Sequence, residues 1–110
     1  MPEIIHINGT KDLSKKENEF ANELTLKYYK KLSKIREIKN SGIASLDVNV
    51  KEYKTQGRAK KFSIKVSLFL GNNKIESNYS SWNFAKTLQE SFARLMEEIE
   101  HKLKISENNR

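Results

Sequence analysis

Ala44-Ser45-Leu46-Asp47-Val48-Asn49-Val50-Lys51 and Phe62-Ser63-Ile64-Lys65-Val66-Ser67-Leu68-Phe69-Leu70 carry the strongest structural signal in this chain. Apolar and polar side chains alternate in both. A period of two places Ala44, Leu46, Val48 and Val50 on one face of a strand, with Ser45, Asp47, Asn49 and Lys51 on the other. Between them, residues 54–61 contain Gly57, which permits a turn, so the two strands are predicted to form an antiparallel hairpin. Gly71-Asn72-Asn73 predicts a second turn. It leads to a more polar strand at 74–80, anchored by Ile75 and Tyr79, whose polarity suits a sheet edge.

Upstream, Ile5 and Ile7 alternate with His6 and Asn8 before Gly9, which predicts a short first strand. Ser14 and Glu17 have the S-x-x-E spacing of a capping box, so a helix should start near Lys15. Phe20, Leu24, Tyr28, Leu32 and Ile35 follow at intervals of four, four, four and three, which makes one apolar stripe. The helix is predicted to end near Ile38, where Asn40-Ser41-Gly42 supplies a stop signal. Downstream, Ser80 or Ser81 is the expected cap of a last helix, on which Phe84, Leu88, Phe92, Leu95, Met96, Ile99 and Leu103 keep helical spacing.

This order predicts an α+β fold, β-α-β-β-β-α. A four-stranded mixed sheet, begun by a parallel crossover, carries two helices packed on one face and leaves the other face to water. Residues 1–105 are expected to form a single domain, and residues 106–110 a frayed polar tail.

Lysine and arginine total 21 against 14 acids, a net charge of +7, which favours an anionic partner. Residues 1–42 contribute +3, residues 43–80 contribute +4, and residues 81–110 contribute none, so the excess lies in the first helix and the hairpins. The chain has no cysteine, which fits a reducing compartment. Met1–Gly9 lacks the basic segment and apolar run of a signal peptide, and no apolar stretch approaches the ~20 residues of a membrane span. A cytoplasmic protein without a membrane partner is expected.

Catalytic signatures are missing from the sequence. Neither GxxxxGK nor GxGxxG occurs, and His6 and His101 stand in no metal-binding spacing. The aspartates are Asp12 and Asp47 alone, and the glutamates are spread over helix surfaces, so no carboxylate pair suggests acid–base chemistry. The expectation is a protein that is not an enzyme, with no cofactor, metal or small-molecule substrate.

Basic residues are the candidate binding groups. Lys27, Lys30, Lys31 and Lys34 fall within about 100° on the helical wheel and can form a ridge along a phosphate backbone, or simply a solvated face. Lys54, Arg58, Lys60 and Lys61 occupy the hairpin turn with no acid between them. They can act as a basic finger in an RNA groove, or protect the strand ends from aggregation. Lys86 and Arg94, about 80° apart on the last helix, can extend that surface, whereas Lys102 and Lys104 are explained by the helix dipole. Trp82 and Phe84 are expected to close the core rather than to stack on a base.

Ile5-His6-Ile7-Asn8-Gly9, the order of elements, and Arg94-Leu95 with Ile99 together resemble the ribosome hibernation-promoting factors, also called ribosome-associated inhibitors. The similarity spans roughly residues 3–104. It implies a relative of the double-stranded-RNA-binding fold with an added first strand. It also implies a stress factor that binds the small ribosomal subunit and its rRNA where messenger and transfer RNA would lie, inhibiting translation by occupancy. The short form of the family is the closer match, because no dimerisation domain follows the last helix; a free monomer is expected. Two alternatives stay open: a general structured- or double-stranded-RNA-binding module, and a protein-interaction domain that uses the polar sheet face or an edge strand.

Overall fold

The two alternating segments pair as expected. In the computed structural model, which describes residues 4–54, 57, 60–71 and 73–104, β2 (Ile43–Lys54) and β3 (Lys60–Leu70) form a long antiparallel hairpin. On its inner face Leu46, Val48, Ile64, Val66 and Leu68 are fully buried. The outer strands flank this pair: β1 (Ile5–Asn8) runs parallel to β2, and β4 (Lys74–Ser81) antiparallel to β3. The sheet is mixed, in the order β1-β2-β3-β4. Leu70 and Asn73 exchange backbone hydrogen bonds (2.8 and 3.3 Å) to close the second turn.

Two helices cover the inner face, α1 (Lys15–Ser33) and α3 (Phe84–Leu103). The capping box forms: the Glu17 amide donates to Ser14 Oγ (3.1 Å) and the Ser14 amide to Glu17 Oε1 (2.9 Å). Gly9, at φ 81°, carries the chain from β1 towards α1, and any Cβ there would collide with the Val50 carbonyl oxygen. Tyr28 of α1 stacks on Phe92 of α3 at 4.5 Å and 6°. Eight residues earlier on both helices, Phe20 and Phe84 line one groove. The same sequence offset relates both pairs, so α1 and α3 run in the same direction.

Three details differ from the sequence expectation. First, the helix predicted to reach Ile38 is two helices, α1 and the short α2 (Arg36–Ser41), separated by extended backbone at Ile35. A continuous helix would put Ile38 about 120° from Leu32 on the wheel. The break instead buries both completely. Amides of Lys34 and Ile35 bond to the carbonyls of Lys31 and Leu32 (3.2 and 3.1 Å), tightening the end of α1, and Gly42 at φ 79° ends α2.

Second, Ala44 is not on the core face. Ile43 pairs with Leu70 and Ser45 with Phe69, so Ala44 is the extra residue of a bulge and is exposed. Third, the α3 cap is Asn83, whose Oδ1 accepts from the Lys86 amide (2.8 Å), rather than Ser80 or Ser81. Ser81 serves the packing instead, its hydroxyl bonded to Thr87 Oγ1 and the Asn83 carbonyl. Ser91 Oγ lies 2.9 Å from the Ile64 carbonyl, and the Ser77 hydroxyl donates to the Ser91 carbonyl. Small hydroxyl side chains thus bind α3 to β3 and β4 at close approach, where larger ones would hold the helix off the sheet. The expected tail at 106–110 lies outside the described residues.

Ile64→Asp places an unpaired carboxylate at the centre of this core and should cost at least ~3 kcal/mol. A wild-type urea midpoint would refute the core assignment. On α1, Thr25 is fully buried and its Oγ1 has no hydrogen-bond partner among the described residues. Thr25→Val should therefore raise stability by about 1 kcal/mol, read as a higher urea midpoint at unchanged slope. A lower midpoint would show that the hydroxyl is satisfied.

Candidate nucleic-acid interface

Because α1 and α3 are parallel, their N-termini lie side by side, lining a groove with Lys16, Glu17, Phe20, Asn83, Phe84 and Ala85. Phe84 packs edge-on against Phe62 (5.5 Å, 72°), which places both helix starts at the β2–β3 turn. Lys16, Lys54, Lys60, Lys61 and Lys86 are all exposed at this end of the molecule. A helix N-terminus already carries partial positive charge, so cations beside it are disfavoured by roughly 0.3–1 kcal/mol each. The first turn of α3 contains Lys86 and no acid, and the only first-turn acid of α1, Glu17, is held in the capping box. Helix electrostatics therefore do not account for lysines here.

Of the predicted finger, Lys54 and Lys61 make no ion pair among the described residues, and Arg58 lies outside those residues. Lys60 differs from expectation: its Nζ is 3.5 Å from Glu52 Oε1, a carboxylate on a side chain only 12% exposed. The turn segment has no acid of its own, but the hairpin register brings Glu52 across from Phe62, within reach of Lys60.

Lys27, Lys30, Lys31 and Lys34 form the expected exposed ridge, and among the described residues neither Glu23 nor Glu37 pairs with them. The ridge lies towards the C-terminal end of α1: Lys34 is eighteen residues beyond Lys16, roughly 27 Å along a helix axis. Lys30 and Lys31 oppose the negative end of the α1 dipole, and Lys31 Nζ sits 5.4 Å from the centre of the Tyr28 ring. Helix electrostatics and packing account for them. Arg94 lies between the two regions, its guanidinium 4.9 Å from the Tyr79 ring centre on the β4 edge. Lys102, expected to answer only the dipole, donates to the Lys74 carbonyl (3.3 Å).

The candidate residues thus do not converge on one spot. Lys54, Lys60, Lys61 and Lys86 gather at the hairpin end, joined by Lys16, which the sequence reading passed over. The capping box was the available signal, since it puts Lys16 in the first helical turn. Trp82 also departs from expectation. Phe84 closes the core, but Trp82 is 57% exposed, because strand alternation turns Ser81 inward and the next residue outward. Tyr53 is likewise 49% exposed.

His6 Nδ1 is bonded to Asp47 Oδ1 (3.0 Å), and among the described residues no group of three or more His, Cys, Asp or Glu is placed to hold a metal ion. Among the same residues, no helix is long and apolar enough to cross a membrane.

No protein-family model matches the chain, and no curated protein does. Among solved structures, it is similar to one described as a ribosomal subunit interface protein from Coxiella burnetii. The two are 17% identical with a TM-score of 0.57, over 90% of this chain and 94% of that one. The likeness is one of fold.

Proposed function

We propose that the protein is a ribosome-associated, non-enzymatic RNA-binding factor. It docks on small-subunit rRNA and inhibits translation by occupying the channel of messenger and transfer RNA, as a hibernation or stress factor would. The observation that carries this reading is the concentration of Lys16, Lys54 and Lys86 where two parallel helices present their positive ends. A phosphate at this end would meet both the lysines and the positive helix ends. The fold shared with a protein described as a ribosomal subunit interface protein supports the choice of RNA. The ridge of Lys27, Lys30, Lys31 and Lys34, together with Arg94, would extend the contact along the helices.

Co-sedimentation with small subunits, intact ribosomes and free duplex RNA tests this reading. The protein should prefer small subunits and should be displaced by transfer RNA bound at the decoding site; full coexistence of the two on one subunit would rule out occupancy. Phosphate contacts release counterions, so log affinity should fall linearly with log salt. Replacing Lys16, Lys54 and Lys86 with alanine should flatten that slope by about one unit per lost contact, while Lys104→Ala should change it little. An unchanged slope in the triple variant would move the interface away from the helix starts. Preference for naked duplex would select a general RNA binder, and salt-insensitive binding a protein-interaction domain.

A further inference from the structure

The open face of the sheet, away from both helices, has its own chemistry at the hairpin end. Tyr53 pairs with Lys61 across the hairpin, and the register of Phe62 with Ser81 puts Trp82 on the other side of Lys61. Lys61 Nζ is 6.0 Å from the centre of the Trp82 ring, so the two side chains share that face. Tyr53 and Trp82 are the large hydrophobic side chains left exposed among the described residues, and both flank the same lysine.

The next rows of the sheet add Lys51, opposite Ser63, and Lys65, opposite Asn49 and Asn78. Among the described residues, carboxylates on this face come only further along, where Asp47 bonds His6 and Glu76 bonds Ser67 and Lys74. Among the described residues, the hairpin end therefore carries two rings among three lysines and no open-face acid. Packing does not explain rings left in water, and a solvated basic face needs no rings.

We infer that Tyr53 and Trp82 form a stacking platform for unpaired bases of single-stranded RNA, with Lys51, Lys61 and Lys65 receiving its phosphates. Stacking on aromatics beside a basic track is how unpaired strands are bound without sequence preference. Strands ~4.8 Å apart set the two rings about 10 Å apart, which suits separate bases of one strand rather than one base held between them. Duplex RNA is excluded, since its base faces are already stacked. This surface lies on the opposite side of the sheet from the helix starts. It rests on the ribosome-associated reading only for the source of the strand.

Trp82 is the single tryptophan of the chain, so its fluorescence reports on the site directly. The full chain is titrated with a ten-nucleotide single-stranded RNA, an abasic strand of equal length, and the corresponding duplex. Base-bearing single strands should quench Trp82, and the other two should not. Tyr53→Ala and Trp82→Ala should each weaken single-strand binding about five- to hundredfold with the salt slope unchanged, and Trp82→Phe should restore it. Lys61→Ala should instead lower the slope by about 0.7. Both rings are exposed, so melting midpoints should hold, which separates loss of binding from loss of fold.

Equal quenching by the abasic strand, or undiminished affinity in Tyr53→Ala, would overturn the platform. Loss of subunit binding in Tyr53→Ala without any change in oligonucleotide affinity would also overturn it, assigning the rings to a protein contact. Failure to sediment with ribosomes while unpaired strands still quench Trp82 would sink the ribosomal reading and leave the platform standing.

Discussion

The pairing of β2 with β3 carries the rest of the molecule. From Ser45 to Lys54 its register is continuous, and it builds the apolar floor on which both helices lie. β1 and β4 each depend on one strand of this pair for their backbone hydrogen bonds. The bulge at Ala44 lies at the far end from the turn, where the chain arrives from α2, so the extra residue leaves the floor intact. Gly9 belongs to the same constraint: the first crossover passes so close to Val50 that a side chain there has no room.

From that floor follows the distribution of charge. Because β1 and β2 are parallel, α1 must return along the sheet, starting near the hairpin turn. Because β4 ends near the same turn, α3 starts there as well. Two helix dipoles consequently point their positive ends at the hairpin, where lysines from α1, α3 and both strands already gather. The topology thus gathers part of the +7 excess at one end of the molecule. Glu52 moderates it at Lys60.

Much of this was legible in the sequence, for identifiable reasons. Alternation of period two exposed β2 and β3, the Ser14–Glu17 spacing exposed the start of α1, and Ile75 and Tyr79 sufficed to mark β4. Local chemistry sets these features, and they need no knowledge of neighbours. The split at Ile35 was less legible, because Ile35 continues the apolar spacing and only the burial of Ile38 shows why the helix must break. Ser77, Thr87 and Ser91 carry no signal in the sequence, and Ser81 reads there as a helix cap, yet all four join α3 to the sheet.

The candidate interface divides along the same line. Residue types and spacing showed the basic excess and pointed to the candidate finger and ridge and to a lack of catalytic or metal motifs, since each depends on positions close in the chain. Tertiary structure decided which lysines stand together, because Lys16, Lys54 and Lys86 are distant in sequence and share one end of the molecule only through parallel helices over a folded hairpin. It also paired Lys60 with Glu52, and turned Trp82 outward beside Lys61. Tyr53 follows Asp47, Asn49 and Lys51 onto the polar face by strand alternation, whereas Trp82 lies just past the end of β4, and its outward position was settled only when Ser81 and Phe84 turned towards α3 and the core.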